Sequence, residues 1–204
     1  METFTVLSGV AAPLARENVD TDLIIPIPRL VTLANVDLGK WAFEAIRYHK
    51  DGSENSDFVL NQSRYRGAPI LIAGRNFGCG SSREGAVVAI RRLGIRCVIA
   101  PSFGDIFFNN CFQNSVLPIA LPQEEIDRLM EEARTCTSGA AFAVDLEARE
   151  IRTPGQRTVA FEVDPNRRQG LLKGLDPIDT TLMRDGEIAA FQDRDRKARP
   201  WIYG

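Results

Sequence analysis

The part of this chain best equipped for chemistry is a glycine-rich turn, residues 74–86. Within it, Ser81, Ser82 and Arg83 bring two hydroxyls and a guanidinium together. The apolar run Ile70–Ala73 before the turn predicts a buried strand, and the residues after it predict a helix. Backbone N–H groups at the start of a helix attract anions. The pattern therefore predicts a site for a carboxylate or a phosphate, with a serine available for chemistry.

Two nucleotide-binding interpretations of this turn fail on their spacing. The dinucleotide fingerprint requires a third glycine at the position that Arg83 occupies. Gly80 and Gly85 have the spacing of the Walker motif, but Ala86 and Val87 follow them where a lysine and a hydroxyl residue are required. Without that lysine, the case for a nucleotide phosphate is weak.

A purely structural interpretation of the turn stays open. Ser81 or Ser82 is suited to cap the following helix, with Glu84 close by. Arg83 is equally suited to a surface position or a structural ion pair. On spacing alone, helix capping is the favoured interpretation.

Strands and helices alternate around the turn, through the middle of the chain. Strands are predicted over residues 69–73, 95–100 and 116–121, and helices over residues 83–93, 105–113 and 122–136. Short connections between alternating elements predict an α/β fold with a mainly parallel sheet flanked by helices.

The two ends of the chain show a different pattern. A strand is predicted over residues 3–10, a strand pair over 141–151 and 158–163, a helical turn over 166–172, and a C-terminal helix over 178–194 that is interrupted near Gly186. We expect one domain over residues 1–204, with a core of about residues 1–137 and a C-terminal extension of about residues 138–204.

Composition limits the classes of function. The net charge of −2 gives no electrostatic reason for nucleic acid or an anionic membrane as a partner. No apolar run is long enough for a membrane span, and the N-terminus lacks the pattern of a secretory signal, so we expect a cytoplasmic protein. The four cysteines have no zinc-type spacing and are expected to be free thiols: Cys79, Cys97, Cys111 and Cys136.

Four blocks of this sequence, in order, resemble the small subunits of 3-isopropylmalate dehydratase. The blocks are residues 18–26, 76–84, 100–107 and, more weakly, 167–176. This family is similar to the swivelling fourth domain of aconitase, so the resemblance implies a swivelling β/β/α domain with an additional β-hairpin and a C-terminal helix.

The resemblance also implies a reaction and a partner. The family interconverts 2- and 3-isopropylmalate by dehydration and rehydration in leucine biosynthesis, and three cysteines of a large subunit hold its [4Fe-4S] cluster. This chain lacks such a cysteine set, so we expect it to bind no metal and to act only in a heterodimer with the large subunit. By matching positions, Ser81 is the base, and Ser82 and Arg83 hold a substrate carboxylate.

The residue types of three acids around the turn indicate supporting roles. Asp20 and Asp22 are expected to hold the loop near the site through local hydrogen bonds rather than to bind a metal. Glu84 is expected to orient Arg83 or to cap the helix.

Two positions depart from the family pattern. Many small subunits have a histidine where this chain has Gly85, and an arginine where this chain has Asn35. Asn35 and the nearby Arg29 are therefore the candidates to contact substrate in place of that arginine. A lost charge-assisted contact is worth about 1.5–3 kcal/mol, enough to change substrate choice. Two alternatives therefore stay open: a substrate that is another hydroxy-diacid, of the methylmalate or homoaconitate type, or a function as a non-catalytic anion-binding module.

Overall fold

Four short parallel strands form the central sheet of the chain. The computed structural model describes residues 1–32, 37–80 and 83–203. The strands, in chain order, are β1 Val6–Gly9, β2 Ala11–Leu14, β3 Ile70–Ala73, β4 Cys97–Ala100, β5 Leu117–Ala120, β6 Phe142–Asp145, β7 Glu150–Arg152 and β8 Thr158–Ala160. The parallel sheet has the order β2-β3-β4-β5, and a second, antiparallel sheet has the order β1-β6-β7-β8.

Helices follow most of the parallel strands. They are α1 Thr21–Ile24, α2 Ile27–Thr32, α3 Glu44–Arg47, α4 Glu84–Arg92, α5 Asp105–Gln113, α6 Gln123–Thr135, α7 Pro165–Lys173, α8 Pro177–Leu182 and α9 Asp185–Ala198. Short 3-10 turns lie at Leu38–Trp41, Val59–Asn61 and Pro200–Ile202. The predicted α/β fold with a mainly parallel sheet and flanking helices is confirmed.

Both faces of the parallel sheet are covered, which explains its apolar strands. Every residue of β3 and β4 is buried, as is usual for central strands of a parallel sheet. Leu71 lies in one core cluster together with Ile90 of α4, whereas Ile72 lies in the other together with Leu129 of α6 and Phe142 of β6. The sheet is therefore the middle layer, with α4 on one side and α6 and the antiparallel sheet on the other.

The antiparallel sheet differs from the predicted hairpin. The prediction of one strand over residues 141–151 is wrong, because β6 and β7 are separate strands joined by a turn. In that turn the Asp145 carboxylate accepts a hydrogen bond of 2.8 Å from the Ala148 amide, and Arg149 has φ 58°. β1 pairs with β6, so this sheet joins the two ends of the chain.

The C-terminal helix extends beyond its predicted end, to Ala198. The interruption expected near Gly186 lies at Met183 and Arg184, which separate α8 from α9, and Gly186 is in the first turn of α9. A reciprocal capping box between Asp176 and Asp179 fixes the start of α8. No helix within the described ranges has the length and apolar character needed to cross a membrane.

Candidate active site

Three loops meet at the carboxyl edge of the parallel sheet. They follow β2, β3 and β4, and they contain the blocks at residues 18–26, 76–84 and 100–107. Because parallel strands end at a shared edge, segments that are far apart in the sequence become neighbours there. In open α/β sheets this edge is where ligands bind.

Backbone hydrogen bonds join the three loops as if the sheet continued beyond its strands. The Gly78 amide donates to the Val19 carbonyl at 2.7 Å, and the Phe77 amide donates to the Ser102 carbonyl at 3.0 Å. The Thr21 amide in turn donates to the glycine loop at 2.9 Å. The glycine loop, residues 74–80, is thus held on both sides by its neighbours.

An asparagine pair adds side-chain bonds to this ladder. The Asn76 side-chain amide donates to Asn18 Oδ1 at 2.8 Å, and the Asn76 backbone amide donates to Ser102 Oγ at 2.9 Å. Both asparagines have left-handed backbones, with φ 59° and 52°, a conformation that asparagine tolerates better than most residues. Sequence analysis missed this pair, although asparagines at loop starts inside the matching blocks were a usable signal.

Glycine is required in this loop for close packing as well as for backbone freedom. Gly78 has φ 73°, and a Cβ atom there would lie 2.1 Å from the ring of Phe107 on α5. A Cβ atom on Gly104 would lie 2.5 Å from the Gly78 carbonyl oxygen. The loops approach each other so closely that side chains at these positions do not fit.

The candidate residues Ser81, Ser82 and Asn35 lie outside the described residues. The residue directly after the two serines, Arg83, takes the N-cap position of α4. The start of this nine-residue helix, with its positive dipole end, therefore lies next to the two serines in the chain.

Arg83 is held by the neighbouring loop. Its Nη1 donates to Asp22 Oδ1 at 2.6 Å, and its side chain is 23% exposed. A guanidinium has five N–H donors, so this ion pair leaves donors for a substrate carboxylate. Asp22, rather than Glu84, gives the described contact to the Arg83 guanidinium, while Glu84 accepts a 3.1 Å hydrogen bond from Asn114 of the α5 C-cap. Glu84 lies in the first turn of α4, and its expected role in orienting Arg83 or capping the helix stays a prediction.

The other acidic candidate, Asp20, caps a helix. Its Oδ1 accepts a 2.7 Å hydrogen bond from the Leu23 amide at the start of α1. The turn that carries Asp22 thus begins at a fixed N-cap, and its geometry agrees with a supporting role for both carboxylates.

Arg29 on α2 has structural partners. Its Nε and Nη2 donate to the Glu44 carboxylate at 2.9 and 2.5 Å, and its guanidinium lies 3.5 Å from the ring centroid of Trp41. Both interactions favour a role in holding α2 against α3 and the 3-10 turn. A contact between Arg29 and substrate stays a prediction.

The Arg29–Glu44 pair predicts a pH-dependent stability. The hydrogen bond from Arg29 lowers the pKa of Glu44 below its ordinary value of 4.5. A lowered carboxyl pKa stabilises the fold above the unfolded pKa, and this contribution is lost as pH falls through the folded pKa. We expect Glu44→Gln to cost about 0.2–1 kcal/mol at pH 7 and to reduce the loss of stability below pH about 4.5, measured by urea unfolding. Equal wild-type and variant slopes in that acid range would contradict this prediction.

Gly85 has a packing role that does not involve substrate. It lies in the first turn of α4, and a Cβ atom there would lie 2.4 Å from a methyl carbon of Leu30 on α2. The glycine lets α2 approach α4 closely. Close packing against Leu30 thus explains a glycine at position 85 without a change of substrate.

The Cys79 thiol in the glycine loop is not activated as a nucleophile. Burial, and secondarily the Asp20 carboxylate, raises the pKa of Cys79 above its ordinary value of 9.0, so the thiol stays protonated at neutral pH. Among the residues that the structure describes, no group of three or more histidine, cysteine, aspartate and glutamate side chains is arranged to hold a metal ion. The described side chains therefore do not fit an iron–sulfur cluster.

Comparisons with known proteins match the whole length of the chain. The family model described as the aconitase C-terminal domain matches residues 1–124, and the LeuD_N model matches residues 127–165. The 3-isopropylmalate dehydratase small subunit of Paramagnetospirillum magneticum is 55% identical over 202 residues, which are 99% of this chain and 100% of that protein. The protein of the same name from Rhodospirillum centenum is 54% identical over 204 residues, 100% of both chains.

A solved structure extends the agreement to three dimensions. The crystal structure of 3-isopropylmalate dehydratase (leuD) from Methanocaldococcus jannaschii is 28% identical and superposes with a TM-score of 0.64. The match covers 91% of this chain and 98% of the archaeal one. The chain therefore belongs to the family of 3-isopropylmalate dehydratase small subunits, built on the aconitase C-terminal domain.

Proposed function

We propose that this chain is the small subunit of a cytoplasmic, heterodimeric hydro-lyase of leucine biosynthesis. The enzyme removes water from 2-isopropylmalate and adds it back with the hydroxyl on the neighbouring carbon, which gives 3-isopropylmalate. The observation that carries the proposal is the full-length identity of 52–55% to several curated small subunits of that name. The substrate is then a hydroxy-dicarboxylic acid.

The large subunit supplies the metal group in this proposal. The placement of the [4Fe-4S] cluster on a partner rests on the family resemblance and on the small-subunit names of the relatives, which imply a large subunit. When bound there, the cluster provides a Lewis-acidic iron for the leaving hydroxyl. We further propose that residues 1–204 form one swivelling domain, in which the pairing of β1 with β6 connects core and extension.

This chain contributes the proton chemistry and part of the substrate grip. Ser81 removes the proton from the carbon beside the one that loses its hydroxyl, and that proton moves to Ser81 Oγ. A serine hydroxyl is a poor base at neutral pH, so the positive end of α4 and the nearby Arg83 must favour the alkoxide. Ser82 and Arg83 hold a carboxylate of the substrate, while Asp22 keeps the guanidinium in place.

The identity of the substrate needs its own test, because Asn35 stands where many small subunits have an arginine. The experiment is reconstitution of this chain with its large subunit, followed by absorbance detection of the alkene product from a panel of hydroxy-diacids. We expect isopropylmalate to give the highest kcat/KM. Preference for a methylmalate or homoaconitate-type substrate would identify a paralogue, and no turnover of any diacid would favour an anion-binding module.

Removal of the Arg83 charge tests its role in the substrate grip. If Arg83 binds a carboxylate equally in the ground and transition states, Arg83→Gln raises KM and leaves kcat nearly unchanged. Loss of a charge-assisted pair of about 1.5–3 kcal/mol corresponds to a KM roughly 10- to 150-fold higher. Arg92→Gln, in the last turn of the same helix, is the control with expected wild-type kinetics. An unchanged KM in Arg83→Gln would exclude the proposed contact.

A further inference from the structure

The C-terminal arm, residues 177–203, exposes a concentration of apolar side chains. Seven of the twelve exposed large hydrophobic residues in the described ranges lie in this arm: Ile178, Leu182, Met183, Phe191, Trp201, Ile202 and Tyr203. Both matching family models end before the arm begins, at residues 124 and 165. A concentration of exposed large apolar side chains in one segment of a folded chain indicates an interaction surface.

Helix α9 contributes no residue to either core cluster. None of its residues, Asp185–Ala198, is buried. A helix of 14 residues is marginally stable in water unless tertiary contacts support it. The arm thus has the character of an element that completes its packing against another molecule.

The tip of the arm holds its aromatic side chains in a defined position. The Asp195 carboxylate accepts hydrogen bonds from Arg199 Nε at 2.6 Å and from the Tyr203 hydroxyl at 2.7 Å. The Arg196 guanidinium lies 5.2 Å from the Tyr203 ring centroid. These contacts fix the 3-10 turn that carries Trp201, whose surface is 75% exposed. Preordered, exposed aromatic residues are typical anchors of protein interfaces.

The charges of the arm indicate a protein as its partner. Five acidic and five basic side chains balance each other: Asp179, Asp185, Glu187, Asp193 and Asp195 against Arg184, Arg194, Arg196, Lys197 and Arg199. An anionic membrane or a nucleic acid selects for a basic excess, which the arm lacks. A set of tryptophan, tyrosine and phenylalanine side chains with charges of both signs around them is instead typical of a protein–protein interface.

A surface groove and one hydrogen bond connect the base of the arm to the start of α4. Thr180 lines a surface groove together with Gln113, the last residue of α5. The next residue, Asn114, donates its 3.1 Å hydrogen bond to Glu84, directly after Arg83. A partner that covers the site around Arg83 is therefore within reach of the start of the arm.

We propose that the C-terminal arm is a docking element for the large subunit, with Phe191 and Trp201 as its apolar anchors. This inference rests on the proposed function, because it takes the partner that completes the active site as the occupant. The connection of the base of the arm to the start of α4, beside Arg83, favours the large subunit as the occupant over a second copy of this chain.

Affinity between the full-length purified subunits tests the proposal. We expect Phe191→Ser and Trp201→Ser each to weaken binding of the large subunit roughly 30-fold in calorimetric titration, without loss of secondary structure in circular dichroism. Val6→Ser is the matched control, because Val6 is an exposed apolar residue of β1 outside the arm. Its affinity for the large subunit is expected to equal that of the wild type.

Each contrary result has a separate meaning. Wild-type affinity in both arm variants would overturn the docking proposal and leave the proposed function intact. Unchanged large-subunit affinity together with a sedimentation shift of the isolated chain from dimer to monomer would replace the proposal by self-association. Failure of the wild-type chain to bind the large subunit would overturn both the docking and the function. Normal assembly without turnover would contradict the function alone.

Discussion

Ser81→Ala is expected to lower kcat of the reconstituted enzyme roughly 10²- to 10⁴-fold, the usual contribution of a positioned general base. The substitution removes one oxygen atom and leaves every hydrogen bond of the described loop ladder in place. Binding of the large subunit, measured by sedimentation, is therefore expected to stay at the wild-type level. The measurement is steady-state alkene formation together with the assembly assay.

Two comparisons make this result specific. Ser63→Ala changes an exposed serine outside the three loops and is expected to have wild-type kcat. Ser82→Ala is expected to raise KM more than it lowers kcat, since its assigned role is binding. A Ser81→Ala enzyme with nearly normal kcat would exclude Ser81 as the base and would transfer that role to another group.

The middle of the fold could be predicted because its local signals and its tertiary position agree. The helix expected over residues 105–113 has those bounds, and the strand expected over 116–121 contains β5. Strand β2 was missed because Pro13 argues against a strand. In the structure β2 is the edge strand beside β3, a position where the ladder tolerates the missing proline N–H. Pro118 occupies the opposite edge strand in the same way.

The candidate site was predictable as a set of segments but not as a set of contacts. The three blocks around the glycine turn do lie together at the sheet edge. Glu84 was expected either to orient its sequence neighbour Arg83 or to cap the helix, whereas the ion pair between Arg83 and Asp22, which is 61 positions away, was not foreseen. Ion pairs across loops depend on the strand order, which a single sequence does not specify. The turn between β6 and β7 was missed for a different, local reason. It contains neither glycine nor proline, and the Asp145 carboxylate supplies its hydrogen bond.

The largest expected loss of stability comes from Gly78→Ala. The change places a methyl group 2.1 Å from the Phe107 ring, which is fully buried and packs edge-on against Phe77. Overpacking of a core costs about 1–3 kcal/mol, and a left-handed alanine adds about 1–2 kcal/mol. We therefore expect a free energy of unfolding lower by about 2–5 kcal/mol, measured by urea unfolding at neutral pH. Because the glycine loop directly precedes Ser81 in the chain, the refolded variant should also lose activity.

A second glycine separates the two causes of that loss. Gly67 has φ 74°, nearly the same as Gly78, but a Cβ atom added there would meet no described atom within 4 Å. Gly67→Ala is thus expected to cost only the backbone strain of about 1–2 kcal/mol. The difference between the two variants measures the collision with Phe107, and Phe107→Leu in the Gly78→Ala background should recover part of it. Equal stability losses at Gly67 and Gly78 would mean that backbone strain alone requires the glycine, and that the loop does not depend on close contact with α5.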